Sequence, residues 1–302
     1  MRIGLIDVDG HNFPNLPLMK ISAWYKRCGD EVNWYNHLLS GRQHIVYVSK
    51  IFDFSPDYPY TPDAWRTYYG GTGYGNRYGC SGELPGNIEH IYPDYGLYPD
   101  QTKDTAYGFL TRGCPRGCEF CIVGRKEGRV SHKVADLNEF WRGQKTIKLL
   151  DPNLLACKDR DQLLDQLVDS NAWVDFTQGL DARLLTVQTT EKIKRIKTKM
   201  VHFAWDNISD EGRIIPNLKM FKATTGLDRR KLGVYVLTNF GTTHEEDLYR
   251  AYTLKSIGYD PYIMIYDKAN APQQTRLLQR WCNNKIIFTA TKTFDEYDPK
   301  IG

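Results

Sequence analysis

The sequence predicts an α/β chain built on parallel sheets, in two domains, residues 1–100 and 101–302. Three observations carry this expectation. Short apolar runs alternate with amphipathic stretches along most of the chain. The opening runs β-loop-α-β with short loops, which is how a doubly wound sheet begins. From residue 106 onward, six strand-like runs alternate with helical stretches.

In the first domain, Ile3 to Val8 reads as a strand, followed by the loop Asp9 to Asn15. Leu16 to Cys28 reads as a helix, with Leu18, Met19, Ile21, Ala23 and Trp24 mostly on one side and Gly29 as its stop. Glu31 to Tyr35 and Gln43 to Val48 read as strands, and a further short strand ends at Tyr69, before the glycine-rich Gly70 to Gly75. Residues 80–104 are rich in Gly, Pro, Asp and Tyr and read as an ordered but irregular connection. Their tyrosines, with Tyr58, Tyr60, Tyr68, Tyr69, Tyr74 and Tyr78, could stack bases. Apart from His90, only Arg66 and Arg77 are basic between residues 52 and 100, so packing is the better reading.

The six strands of the second domain are expected at Ala106 to Leu110, Thr146 to Leu150, Trp173 to Thr177, Met200 to Trp205, Gly233 to Leu237 and Tyr262 to Tyr266. Helices are expected at Ala135 to Trp141, Asp161 to Asn171, Val187 to Ile196, Ile214 to Thr225, Thr243 to Ile257 and Gln273 to Asn283. Thr243 and Glu246 match a capping box. A complete eight-stranded barrel would need two more units than the chain can supply after residue 290.

The 302 residues are 41% hydrophobic and 25% charged, which allows a sizeable core. A net charge of +4 is too mild to point to nucleic acid. The start, Met1 to Asp7, reads as a strand and lacks the apolar h-region of a signal peptide. No apolar run approaches the roughly 18 residues a membrane span needs. A soluble, cytoplasmic protein is therefore expected, in a reducing compartment that suits free thiols.

The chemistry is concentrated in Cys-Pro-Arg-Gly-Cys-Glu-Phe-Cys, from Cys114 to Cys121. Three thiolates at C-x3-C-x2-C spacing can hold three irons of a [4Fe–4S] cluster and leave the fourth open. A cluster that only carries electrons is normally closed by a fourth cysteine. Zinc fits less well, because structural zinc sites usually draw four ligands from separated pairs, and no second pair follows. Disulfides fit least: seven cysteines are few for this length, and the number is odd.

The spacing, the aromatic Phe120 before the third cysteine and the preceding run Tyr107 to Gly113 resemble the signature of the radical S-adenosylmethionine (radical SAM) superfamily. The resemblance implies Cys114, Cys118 and Cys121 as cluster ligands and a partial six-stranded (β/α) barrel for the second domain. The open iron would chelate S-adenosylmethionine, and one electron would release a 5′-deoxyadenosyl radical that abstracts hydrogen from an unidentified substrate. A reducing partner of flavodoxin or ferredoxin type is implied as well.

Ligand sites in parallel α/β sheets gather at the C-terminal strand ends. Those ends carry Asp151 and Asn153, then Gln178, Asp181 and Arg183, then Asp206, Asn239 and Asp267. By position, Asp151 and Asn153 resemble the place where the superfamily reads the amino group of S-adenosylmethionine, although its usual Gly-Gly-Glu-like string is absent. Gln178 and Arg183 could contact ribose or carboxylate. Each of these residues also fits a helix cap or turn. Cys157 reads as a core thiol.

The first domain is similar to the Rossmann-like domain of the cobalamin-dependent branch. Asp9-Gly10-His11 matches the start of its D-x-H-x-x-G motif, but Pro14 replaces the glycine. The domain would bind cobalamin, or keep the fold for substrate or partner binding. Cobalamin would make a methyltransferase or a ring rearrangement the expected reaction. A methylthiotransferase would need a second cysteine cluster, for which Cys28 and Cys80 are only two. The alternative from another class is a non-catalytic iron–sulfur sensor or binding module.

Overall fold

The computed structural model describes residues 1–10, 12–75, 77 and 83–300. His11, Tyr78 and Cys80, all considered above, lie outside the described residues. The described strands form sheets of four, six and two strands; the pairings within the four-stranded sheet and among the last five strands of the chain are parallel. By contacts the chain divides into two units: Met1–Gly108 with Asn138–Gln144, and Phe109–Leu137 with Lys145–Gly302.

The first unit opens with β1 (Arg2–Asp7), α1 (Leu16–Arg27), β2 (Glu31–Trp34), β3 (Gln43–Ser49) and β4 (Ala64–Gly70). Asn15 caps α1 by accepting from Leu18 N, and Pro17 sits in its first turn. Leu18, Met19 and Ile21 of α1 join Ile3 and Leu5 of β1 in one core. The sheet order is β2-β1-β3-β4, so the strand order reverses between β1 and β3. The residues after these two strands are tied together: the Asp9 carboxylate accepts from Ile51 N, Phe52 N and Ser55 Oγ. The short helices α2 (Gly86–Glu89) and α3 (Pro99–Thr102) and the strand β5 (Thr105–Gly108) complete the unit.

Within residues 83–104, tyrosines pack inside the first unit. Tyr98 is buried and donates to Asp7, and Tyr95 donates to the Phe140 carbonyl at 2.6 Å. Gly71 and Gly73 lie against backbone. A Cβ on Gly71 would stand 2.2 Å from the Lys50 carbonyl oxygen, and one on Gly73 2.5 Å from that of Phe52. Internal close packing therefore accounts for these two glycines without a phosphate.

The second unit begins with a two-stranded antiparallel pair, β6 (Thr111–Arg112) and β7 (His132–Lys133), with α4 (Val123–Lys126) between them. Then follow β8 (Thr146–Leu149), α5 (Arg160–Ser170), β9 (Trp173–Leu180), α6 (Val187–Arg195), β10 (Thr198–Ala204), α7 (Glu211–Thr225), β11 (Leu232–Thr238), α8 (His244–Ser256), β12 (Asp260–Ile265), α9 (Gln273–Asn283) and α10 (Lys285–Ala290). The order β12-β11-β10-β9-β8 follows the chain, and each pairing is parallel. One face of these strands is apolar and buried, through Ile147, Val174, Val201, Phe203, Val234 and Ile263. Phe203 meets Phe221 of α7 edge-on at 5.0 Å, which places the helical layer on this face.

The helix expected at Ala135 to Trp141 is instead a single 3₁₀ turn, Leu137–Glu139. Side-chain bonds take the backbone and ring donors there: Leu137 N donates to Gln166 Oε1, and Trp141 Nε1 donates to the Gln144 carbonyl. Helix α10 was not expected; Asn284 caps it, and its Phe288 packs on Trp281. Among the described residues, no helix is long and apolar enough to cross a membrane.

Candidate functional site

The cysteine loop leaves β6 and is held from several directions, all within the second unit. Cys114 N donates to the Gly128 carbonyl and Cys121 N to that of Cys118. Arg112 pairs with Glu127 at 2.8 Å, while Gly113 N donates to the other Glu127 oxygen at 3.2 Å. Gly113 has a φ of +81°, and a Cβ there would strike the Val130 carbonyl, so only glycine fits. Phe120 meets Phe240, just beyond β11, edge-on at 5.5 Å, and Phe240 in turn meets Tyr266.

Asp151, beyond β8, is buried, and its carboxylate is spent on the chain just before the loop. It accepts from Leu110 N, Thr111 N and Thr111 Oγ. Burial pushes its pKa up to about 6, against the lowering effect of those donors and of Arg112. Asp151 thus braces the start of the loop.

Asn153 lies differently. Its Nδ2 is 3.4 Å from Cys114 Sγ and 3.4 Å from Asp181 Oδ2. The residue is only 3% exposed, and its Oδ1 is buried with no hydrogen-bond partner. Asn153 precedes a 3₁₀ turn, Leu154–Ala156, but its side chain does not cap it. A cap does not explain Asn153.

Asp181 does act as a cap, accepting from Arg183 N. It also gathers two cations. Arg116, from between the first two cysteines, pairs with Oδ2, and Arg183 pairs with Oδ1 at 2.8 Å. Burial alone would raise the Asp181 pKa, but the two guanidinium groups outweigh it and hold the carboxyl below the usual range. Arg183 also reaches Asp210 at 2.8 Å, so its fork is engaged by two carboxylates.

Gln178 stands on a distortion. Val201 of β10 is opposite Phe176 and Phe203 is opposite Leu180, so β9 carries two extra residues between these pairs. Gly179 takes a φ of +97° there. Such a bulge re-aims a side chain near a site. Gln178 is exposed. A small hollow with about 10 Å³ of room for a water-sized sphere lies between Asp151, Gln178 and Leu180.

Sequence reasoning missed Arg116, Glu127 and Arg250. Arg250 on α8 is fully buried and donates to the carbonyls of Trp205, Asp206 and Leu237, pairing with Asp247 as well. It therefore pins the ends of β10 and β11. Only Arg116 carried a signal, its position inside the cysteine motif. Cys157 is buried, as expected of a core thiol.

Among the described residues, no group of three or more His, Cys, Asp or Glu side chains stands together as a metal's ligands would. The chemistry of the donors does suit iron and sulfide. Cys114, Cys118 and Cys121 are free and half-buried. Burial, then the Asp206 carboxylate and the neighbouring Cys121, raises the Cys118 pKa, Arg183 opposes it, and Cys114 adds to the rise. Cys118 thus feels the charge of the other two cysteines, and soft thiolates in one loop favour an iron–sulfur cluster over a hard cation. Comparison of the sequence with models of known protein families and with curated proteins finds no match.

Proposed function

We propose that the chain is a radical SAM enzyme, with a [4Fe–4S] cluster on Cys114, Cys118 and Cys121. In this reading residues 101–302 form a partial six-stranded (β/α) barrel and residues 1–100 a Rossmann-like domain. The observation that carries the proposal is the three-cysteine loop beside the buried, unpartnered Asn153 Oδ1. Cys114, Cys118 and Cys121 would hold the cluster, which when bound would supply the one-electron reduction that splits S-adenosylmethionine into methionine and a 5′-deoxyadenosyl radical.

The residues divide this work. Asn153 Oδ1 accepts from the ammonium group of S-adenosylmethionine, which supplies the donor that this buried oxygen lacks. Asp181 holds Arg116 and Arg183, and through Arg116 it fixes the middle of the cysteine loop. Asp151 and Glu127 set the loop's two ends. Phe120 on Phe240 covers one side. The β9 bulge presents Gln178 outward, in reach of a ribose hydroxyl.

The test is anaerobic reconstitution with iron and sulfide, reduction in the presence of S-adenosylmethionine, and chromatography for 5′-deoxyadenosine. Cys114→Ala, Cys118→Ala and Cys121→Ala should each abolish it, whereas Cys157→Ala should not. Asn153→Ala should weaken S-adenosylmethionine binding about tenfold or more. Retained 5′-deoxyadenosine in all three loop variants would sink the proposal. A cluster that forms but never responds to S-adenosylmethionine, with any candidate substrate, would favour the non-catalytic iron–sulfur protein instead.

A further inference from the structure

The five strands β8–β12 have a second face, on which Lys148, Asp175, His202, Tyr235 and Tyr262 stand among apolar residues. Asp175 of β9 is in register with Met200 of β10, and His202 follows two residues later on the same face. Tyr235 of β11 is in register with Ala204 and with Tyr262 of β12. The His202 and Tyr235 rings stack at 4.8 Å and 6°. Tyr262 meets Tyr235 edge-on at 5.8 Å and is 48% exposed.

The hydrogen bonding of this cluster is incomplete in one sense only. Tyr235 donates to the Thr177 carbonyl at 2.7 Å. His202 Nδ1 faces the Phe176 carbonyl at 3.3 Å; a carbonyl only accepts, so Nδ1 carries the proton and Nε2 is an acceptor. Burial holds His202 below its ordinary pKa and keeps the ring neutral, with Asp175 opposing and Lys285 assisting. Asp175 Oδ1 is buried with no partner. A Cβ on Gly233 would stand 3.3 Å from His202 Nε2, so the glycine keeps that edge of the imidazole uncrowded. Asp175 Oδ1 thus lacks a donor, and His202 Nε2 is an acceptor, beside two aromatic rings.

We propose that this face binds an uncharged guanine-type ring, by donation from its adjacent ring N–H and amino groups to Asp175 and His202. Adenine fits less well, because it sets a ring acceptor beside its amino donor. A guanidinium cation fits less well because Lys285 acts on His202 and Lys148 is in register with Asp175. Tyr262 offers the flat surface on which such a ring stacks. The proposal takes this face as the substrate side of the enzyme proposed above, but its test needs neither iron nor S-adenosylmethionine.

The experiment is titration of the metal-free full-length chain with guanosine, inosine, adenosine and agmatine, followed by calorimetry and ligand-observed NMR. Guanosine should bind about tenfold or more tightly than inosine, which lacks the amino group, and than adenosine. Asp175→Asn, which conserves volume, should remove that preference. Tyr262→Ala, at an exposed position, should weaken guanosine and inosine alike. No guanosine binding, equal affinity for guanosine and inosine, a preference for agmatine, or a preference that survives Asp175→Asn would each overturn the proposal. Failure here leaves the effect of the cysteine variants on 5′-deoxyadenosine untouched. Guanosine binding together with retained 5′-deoxyadenosine in all three cysteine variants would instead overturn the enzyme reading and leave this proposal standing.

Discussion

Asp151 sets two physical effects against each other, and Asp151→Asn decides between them. Three donors favour the carboxylate, while complete burial disfavours its charge. Burial prevails, raising the pKa from the ordinary 3.8 to about 6. At about 1.4 kcal/mol per pH unit, that rise corresponds to about 3 kcal/mol. The sign follows from proton counting. Between these two values the folded chain binds the proton and the unfolded chain does not. The stabilisation is therefore fully present below pH 3.8 and is lost as pH rises through about 6.

The asparagine variant keeps the shape and one acceptor oxygen but cannot ionise. Its stability relative to the parent should be nearly constant below pH 4 and should rise by up to about 3 kcal/mol by pH 7. The difference between the two proteins isolates this one group from the other titrations. The assay is urea unfolding of the metal-free chain from pH 4 to pH 8, followed by circular dichroism. If the variant loses stability relative to the parent as pH rises, the three donors outweigh burial. The account of Asp151 as a buried brace with a raised pKa is then wrong.

Two further substitutions test the packing. Gly71→Ala places a Cβ 2.2 Å from the Lys50 carbonyl at a φ of +94°, and should cost about 3 kcal/mol or more by thermal unfolding. Gly226→Ala also has a positive φ, in the left-handed helical region, but meets nothing within 4 Å, and should cost only about 1 kcal/mol; equal losses would refute the close-packing account. Arg250→Ala leaves Asp247 and three carbonyls without their buried donor, and should cost about 3–5 kcal/mol in urea unfolding. A loss under about 1 kcal/mol would show that Arg250 does not pin the ends of β10 and β11.

The regular elements were legible where local signals and tertiary packing agree. Helix α9 runs from Gln273 to Asn283 as its amphipathic spacing requires, and the Thr243–Glu246 capping box forms at the start of α8. Helix α7 begins at Glu211, three residues before the expected Ile214, with Pro216 inside it. Proline sacrifices only the bond to the Gly212 carbonyl, and Gly212 is exposed to water. The bulge in β9 was not legible, because two inserted residues erase the alternation that marks a strand. The 3₁₀ turn at Leu137–Glu139 was hidden for another reason: the Gln166 bond to Leu137 N spans 29 residues.

The candidate site shows the same limit more sharply. Asp151 and Asn153 are two residues apart at one strand end, and by sequence each is equally a cap or a ligand. Neither side chain caps the turn that follows. Asp151 has both oxygens turned to the backbone of Leu110 and Thr111, so it organises the loop without an atom to spare for a ligand. Asn153 spends its amide nitrogen on Cys114 and Asp181 and leaves its oxygen buried and unsatisfied. An unmet buried acceptor costs about 1–3 kcal/mol, and it persists where the surrounding structure fixes it and a ligand relieves it. What separates the two residues is the partner each finds about 40 residues earlier in the chain, Leu110 and Thr111 for one and Cys114 for the other. That partner is set by how the loop before the cysteines folds back on β8, which no short window of sequence records.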